Sequence, residues 1–153
     1  MISSEERLTF LQAIPIFAGL SAEALCELAT KAREIACPAG SLAVHQSDPG
    51  CEMFIIHSGK VEIIRDQGGT AEVIVTTLGP RDFFGEMCII ECIPRCASVR
   101  ALEDAILFGI KSMDLFHLYQ RRPEQYSIVI LNIARDLSRR LRALHANWAA
   151  VAH

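Results

Sequence analysis

Glu86 and Arg95 stand in the stretch FFGEMCIIECIPRCASVRA, Phe83 to Ala101. An ionised Glu86 only accepts hydrogen bonds, so it can hold a sugar hydroxyl. Arg95 presents a rigid fork of donors matched to a phosphate. Just before the glutamate, Gly85 lacks a Cβ and lets a ligand approach the backbone closely. The pattern predicts a helix of one or two turns over Gly85 to Glu91, ended by Pro94, which cannot continue a helix. The first-turn amides of a helix have no intrahelical partners and sit at the positive end of its dipole. A helix start, a glutamate and an arginine returned to one pocket by the Pro94 turn suit a ribose plus a phosphate. The competing reading is a surface ion pair between Glu86 and Arg95, with Gly85 a plain turn residue.

The elements that must position these residues follow from the rest of the chain. Ser3 and Glu6 form a capping-box pattern ahead of Leu8, Leu11 and Ile14 at helical spacing. Pro15 interrupts, and Ser21 is a candidate N-cap for a second helix with Leu25, Leu28 and Ala29 on one face. The texture then changes to short apolar runs separated by Gly/Pro turns: Ile35–Cys37, Leu42–His45, Met53–His57, Val61–Arg65, Glu72–Leu78, Ala97–Leu102 and Ala105–Ile110. That rhythm predicts an antiparallel sandwich or barrel interrupted by the 83–98 stretch. The last third is helical: Ser112 is a candidate cap for Met113–Gln120, and Pro123 opens a long helix. Ile130, Ala134, Leu137, Leu141, Leu144, Trp148 and Val151 alternate at spacings of four and three. That is a heptad seam, read as a parallel dimer contact in preference to an intramolecular stripe.

The residues quoted for the central stretch also carry a resemblance. Phe84-Gly85-Glu86-Met87 followed by Arg95-Cys96-Ala97-Ser98 resembles the phosphate-binding cassette of cyclic nucleotide-binding domains. Ile14 to Ser21, the turns Pro38-Ala39-Gly40 and Asp48-Pro49-Gly50, and the hairpin Met53–Ile56 with Ser58–Val61 are similar to the same family. The resemblance implies one domain over residues 1–153: N-terminal helices (1–33), an eight-stranded antiparallel β-roll of jelly-roll type (34–110) with its cassette at 83–98, and C-terminal helices (111–153). It implies binding of cyclic AMP, or less readily cyclic GMP, without catalysis. The site it implies is Gly85, Glu86, Met87, Arg95, Cys96, Ala97 and Ser98, with Met87, Ile89, Ile63 and Val73 walling the base. Family members that favour cyclic GMP often carry threonine after the arginine, where this chain has Cys96. The first glycine of the central hairpin is expected near the pocket. Arg81 stands where the family commonly has glycine.

Composition bounds the rest. The length suits one core. The formal charge of −3 argues against nonspecific nucleic-acid binding. The polar, acidic N-terminus and the lack of a bilayer-length apolar run lead to an expected cytoplasmic location with no membrane partner. Six cysteines without an export signal are expected to be reduced and mostly buried. Cys88, Cys92 and Cys96 recur every fourth position, but metal-ligand pairs are spaced more tightly and Pro94 breaks any common face, so no metal or cofactor is expected. Cys88 reads as a small buried hydrophobe, and Cys96, beside Arg95, as a candidate reactive thiol. The histidines (His45, His57, His117, His145 and His153) form no H-x-H pair. The chain is expected to be a sensing module alone, without the DNA-binding or second nucleotide domain that relatives carry, acting as a homodimer through its last helix or through an unknown effector. The alternatives are a non-binding β-roll used for dimerisation or docking, and the sensor half of a transcription regulator.

Overall fold

The computed structural model describes residues 1–152; His153 lies outside the described residues. Helix α1 (Ser4–Gln12), a 3-10 turn (Pro15–Phe17) and α2 (Ala22–Lys31) come first. Strands follow: β1 (Arg33–Cys37), β2 (Leu42–Val44), β3 (Glu52–Ser58), β4 (Val61–Arg65), β5 (Val73–Leu78) and β6 (Phe83–Phe84). Then come α3 (Glu86–Glu91), β7 (Ser98–Ala101), β8 (Ala105–Lys111), α4 (Ser112–Arg121) and α5 (Pro123–Val151). The strands form two four-stranded antiparallel sheets in the orders β1-β8-β3-β6 and β2-β7-β4-β5. This is the eight-stranded β-roll with flanking helices. Its eighth strand is Phe83-Phe84, pairing with Ile55 and Phe54. Two residues are too short to show an alternation, so this strand is absent from the sequence reading.

The uninterrupted apolar run Met53–Ile56 is explained by burial on both faces. Met53 and Ile55 point to a core shared with the helices (Leu11, Ile16, Phe17, Leu28, Leu115, Leu118, Val129, Ile133). Phe54 and Ile56 point into the roll, against Val61, Phe84, Val99 and Leu107. On β8, Phe108 and Ile110 face the helices while Ala105 and Leu107 face the roll. Packing on both faces of this sheet gives the cassette a firm base.

Local signals hold at the helix starts. Ser3 and Glu6 form the reciprocal capping box, and Ser21 accepts the Ala24 amide. Ser112 is not a cap. Strand β8 runs into α4 without a loop, so the capping position falls on Lys111, whose amide donates to the Asp114 carboxylate at 3.2 Å. The cysteines are free, but only Cys37 and Cys88 are buried; Cys26, Cys51, Cys92 and Cys96 are exposed, which corrects the expectation of mostly buried thiols. Those four sit on α2, in turns and at the cassette rim, where the roll offers them no interior position.

Candidate functional site

The segment entering the cassette is stitched to β3. The Asp82 carboxylate accepts the Gly79 amide (2.9 Å), Arg81 donates its amide to the Ile56 carbonyl (2.8 Å), and the Ile56 amide donates back to the Asp82 carbonyl (2.9 Å). Arg81 holds φ = 76°, a left-handed conformation that glycine adopts without steric cost. It thus keeps a glycine backbone under an arginine side chain. At the other end of β6, Gly85 has φ = 84°. A Cβ there would lie 2.7 Å from Arg95 Nη1 and 2.9 Å from the Glu52 carbonyl oxygen, so no other residue fits without movement.

Helix α3 starts at Glu86 and stops at Glu91, because Cys92 turns left-handed (φ 52°) while its amide still bonds the Cys88 carbonyl. Pro94 follows this stop and does not cause it. The chain then returns along the Asp48 turn: the Arg95 amide donates to the Asp48 carbonyl (2.8 Å), and Ser47 donates its amide to the Arg95 carbonyl (2.9 Å). Gly50 in that turn packs directly on Cys88, leaving no room for a side chain.

These connections create a cavity of about 110 Å³ lined by Val44, Ile63, Phe84, Gly85, Glu86, Met87, Cys88, Arg95, Cys96, Ala97, Val99 and Arg140. Glu86 is 6% exposed and Arg95 8%. They are not an ion pair: among the described residues, no carboxylate lies within ion-pairing distance of Arg95. Its Nη1 instead lies 3.7 Å from Cys88 Sγ, and its guanidinium sits 5.4 Å from the centre of the Phe54 ring. A buried guanidinium without an anion is costly, so this geometry is suited to an arriving negative charge. Burial pushes the Glu86 carboxyl above its ordinary value; its own backbone amide and Arg140 pull it down, and Asp136 adds to the rise. Burial also raises the Cys88 thiol, against the pull of Arg95.

Six of the seven expected site residues line this cavity: Gly85, Glu86, Met87, Arg95, Cys96 and Ala97. Ser98 does not. It is buried on β7, and its hydroxyl accepts the Gln46 amide at 2.9 Å. Of the expected apolar wall, Met87 and Ile63 take their places. Ile89 turns away into a separate groove with Leu115, Phe116 and Tyr126, and Val73 is exposed on edge strand β5. Gly59 is also away from the cavity, tight against Asp104 and Ala105 at the turn between β7 and β8.

The sequence reading leaves Val44, Phe84 and Val99 out of the pocket. Val99 has a signal, since it continues the alternation begun at Ala97. Arg140 is one of four arginines on the polar face of the last helix, with Arg135, Arg139 and Arg142, of which the sequence lets one or two reach toward the nucleotide; the structure brings Arg140 to the cavity.

The family model described as "Cyclic nucleotide-binding domain" matches residues 34–122. The chain is 34% identical over 128 residues to the cyclic AMP receptor protein of Thermus thermophilus, covering 84% of this chain and 57% of that relative's length. It superposes on the crystal structure of the Thermus thermophilus catabolite activator protein with a TM-score of 0.74 and 31% identity, covering 90% of this chain and 63% of that one. A cyclic nucleotide-binding domain from Methylobacillus flagellatus shares the fold at a TM-score of 0.80 and 24% identity, covering 94% and 81%.

Proposed function

The chain belongs to the cyclic nucleotide-binding domain family, and from that premise we propose that it binds a cyclic nucleotide, cyclic AMP before cyclic GMP, as a regulatory sensor without catalysis. One observation carries the reading. A buried, unpaired Arg95 and a buried Glu86 share one cavity with the glycine-opened start of α3. Arg95 grips the single charge of the cyclic phosphate, and the amides of Gly85, Glu86 and Ala97 complete the cage. Glu86 accepts a ribose hydroxyl. Val44, Ile63, Met87 and Val99 offer the base an apolar wall.

The signal leaves through α5. Its inner face is buried at Val129 and Ile133, while Leu141, Leu144, Trp148 and Val151 are exposed. The buried positions lie off the heptad seam, which supports a second copy as the partner of that seam. Ligand then shifts α5 only by its differential affinity for two α5 positions. Among the described residues, no helix is long and apolar enough to cross a membrane, in keeping with a cytoplasmic site of action. Since the chain spans little more than half of the cyclic AMP receptor protein that it matches, an effector belongs to the proposal only as an unnamed partner. The net charge of −3 weighs against nucleic acid in that role.

A second reading, a β-roll that docks and binds no nucleotide, draws on one observation. The 110 Å³ cavity falls below the roughly 300–1,000 Å³ of typical ligand sites. Calorimetric titration with cyclic AMP, cyclic GMP and linear AMP decides. The proposal expects saturable binding of a cyclic nucleotide and much weaker binding of linear AMP, whose second phosphate charge and open geometry do not suit a cage for one charge. No heat with either cyclic nucleotide at millimolar concentration, or equal affinity for linear AMP, refutes it.

A further inference from the structure

We propose that Arg140 is a latch that competes with the nucleotide for Glu86, closing the site until ligand displaces it; this rests on the nucleotide-binding reading above. Arg140 reaches the cavity from α5, where it is one of the lining residues. Its position is held by several contacts. Nε lies 2.7 Å from the Asp136 carboxylate one turn earlier, Nη2 donates to the Phe83 carbonyl at 3.4 Å, and the guanidinium sits 4.8 Å from the centre of the Phe83 ring. So placed, Nη1 comes within 3.8 Å of Glu86 Oε1. Among the described residues it is the only cation within ion-pairing distance of that carboxylate. A sugar hydroxyl reaching Glu86 therefore meets a site already faced by a positive charge.

The geometry links this competition to helix position. Asp136 and Arg140 lie on the same face of α5, so the guanidinium leaves the cavity most readily by moving with that turn of the helix. Residues 141–150, immediately beyond, are exposed throughout and give the helix no further hold on the roll. Displacing Arg140 both frees Glu86 and enlarges a cavity that is small for a nucleotide. Because binding coupling is reciprocal, whatever holds α5 down weakens nucleotide binding, and nucleotide loosens α5 by the same factor.

The latch is weak by construction. The Arg140 side chain is 38% exposed, and pairs of that kind contribute about 0.2–1 kcal/mol. Removing it should tighten nucleotide affinity by a factor between about 1.4 and 5. The experiment compares the full chain with Arg140→Gln, which removes the charge and keeps much of the length, and with Arg140→Ala. Each is titrated with cyclic AMP and cyclic GMP. Amide hydrogen exchange is followed over residues 136–151 without nucleotide. The latch expects tighter binding in both variants and faster exchange in that segment. Weaker binding in the variants would make Arg140 a ligand contact and overturn the latch, as would unchanged affinity; either result leaves nucleotide binding itself intact. Absence of binding by wild type and variants alike overturns both.

Discussion

The two walls of the cavity are built on different terms. The cassette wall is fixed from several directions. Its entry turn is hydrogen-bonded to β3, Gly85 is wedged against Glu52 and Arg95, and the Arg95 backbone is bonded both ways to the Asp48 turn. The α5 wall is a single side chain, Arg140, at the end of the helix's buried stretch. Few buried contacts and an exposed face are the physical content of a segment that opens easily. Glu86 and Arg95 are thus mounted on the more firmly held wall, and in the function proposed above the readout falls to the less firmly held one. The joint between them is the inner face of α5, where Val129 and Ile133 are fully buried among the N-terminal helices and α4. The Asn132 side chain ties the same stretch to the carbonyls of Ile16 and Ala18.

The largest expected effect breaks that joint. Ile133→Ala deletes a fully buried side chain and should cost about 2–5 kcal/mol of folding stability, measured by urea unfolding. The partner experiment lies a few turns on: Trp148→Ala, at a position 78% exposed, should change monomer stability by less than about 0.5 kcal/mol. It should weaken self-association in sedimentation velocity if the seam pairs two copies. Equal destabilisation by the two substitutions would mean that α5 is one unit and the contrast between its halves is empty.

Next comes the fixed wall. Arg95→Ala should cost about 2–4 kcal/mol of cyclic nucleotide binding, because it removes the charge-assisted partner of the phosphate from a desolvated site. The same change relieves a buried, unpaired cation, so the melting temperature should hold or rise. Calorimetry paired with thermal unfolding reads both. A large loss of stability together with affinity would assign Arg95 to the core and not to the ligand.

Glu86→Gln should follow, with a loss of about 1–2 kcal/mol, the difference between a charged and a neutral acceptor. Its pH dependence has opposite signs for folding and for binding. Burial raises the folded carboxyl above its ordinary value. The stability that belongs to its neutral form is therefore fully present below the unfolded-state value and lost as pH rises through the raised one. Binding needs the ionised acceptor, so wild-type affinity should fall on acidification, beginning above the usual carboxylate range. Arg140 and Asp136 both face Glu86 and pull its carboxyl in opposite directions, Arg140 down and Asp136 up. The Gln variant should be more stable at neutral pH, bind more weakly there, and lose the acid-side fall in affinity. An identical pH profile in the variant would remove Glu86 from the binding site.

How far these walls could be foreseen divides along the same line. The cassette was legible because its constraints are local. A glycine at positive φ, an acceptor one residue on and an arginine after a turn leave marks in a short window, and so do the capping box at Ser3 and the N-cap at Ser21. The roll was legible from turns and apolar runs. What escaped depends on distant packing. Phe83-Phe84 is a strand because β3 offers it an edge, Ile89 turns away from the cavity because α4 gives it a groove, and Ser98 serves the Gln46 amide just beyond β2, the neighbouring strand of its own sheet. Arg140 lies far along the chain from Glu86, and nothing near it in sequence sets it apart from Arg139 or Arg142.

The smallest expected effect tests the stiffness of the fixed wall at its entrance. Arg81 adopts φ = 76°, a conformation that costs an L-residue about 1–2 kcal/mol. Glycine adopts it freely but brings about 0.5–1 kcal/mol of extra unfolded-state entropy. Arg81→Gly should therefore raise stability by about 0.5–1 kcal/mol, or at least leave it unchanged, in urea unfolding. The Arg81 amide bonds Ile56 through the backbone, which glycine preserves, so the cassette should keep its place and nucleotide affinity should not move. If Arg81→Gly lowered stability, the arginine side chain would have to be holding the turn itself. If affinity shifted without a change in stability, the entry loop would belong to the moving wall, and the rigid cassette would have to be redrawn to begin at β6.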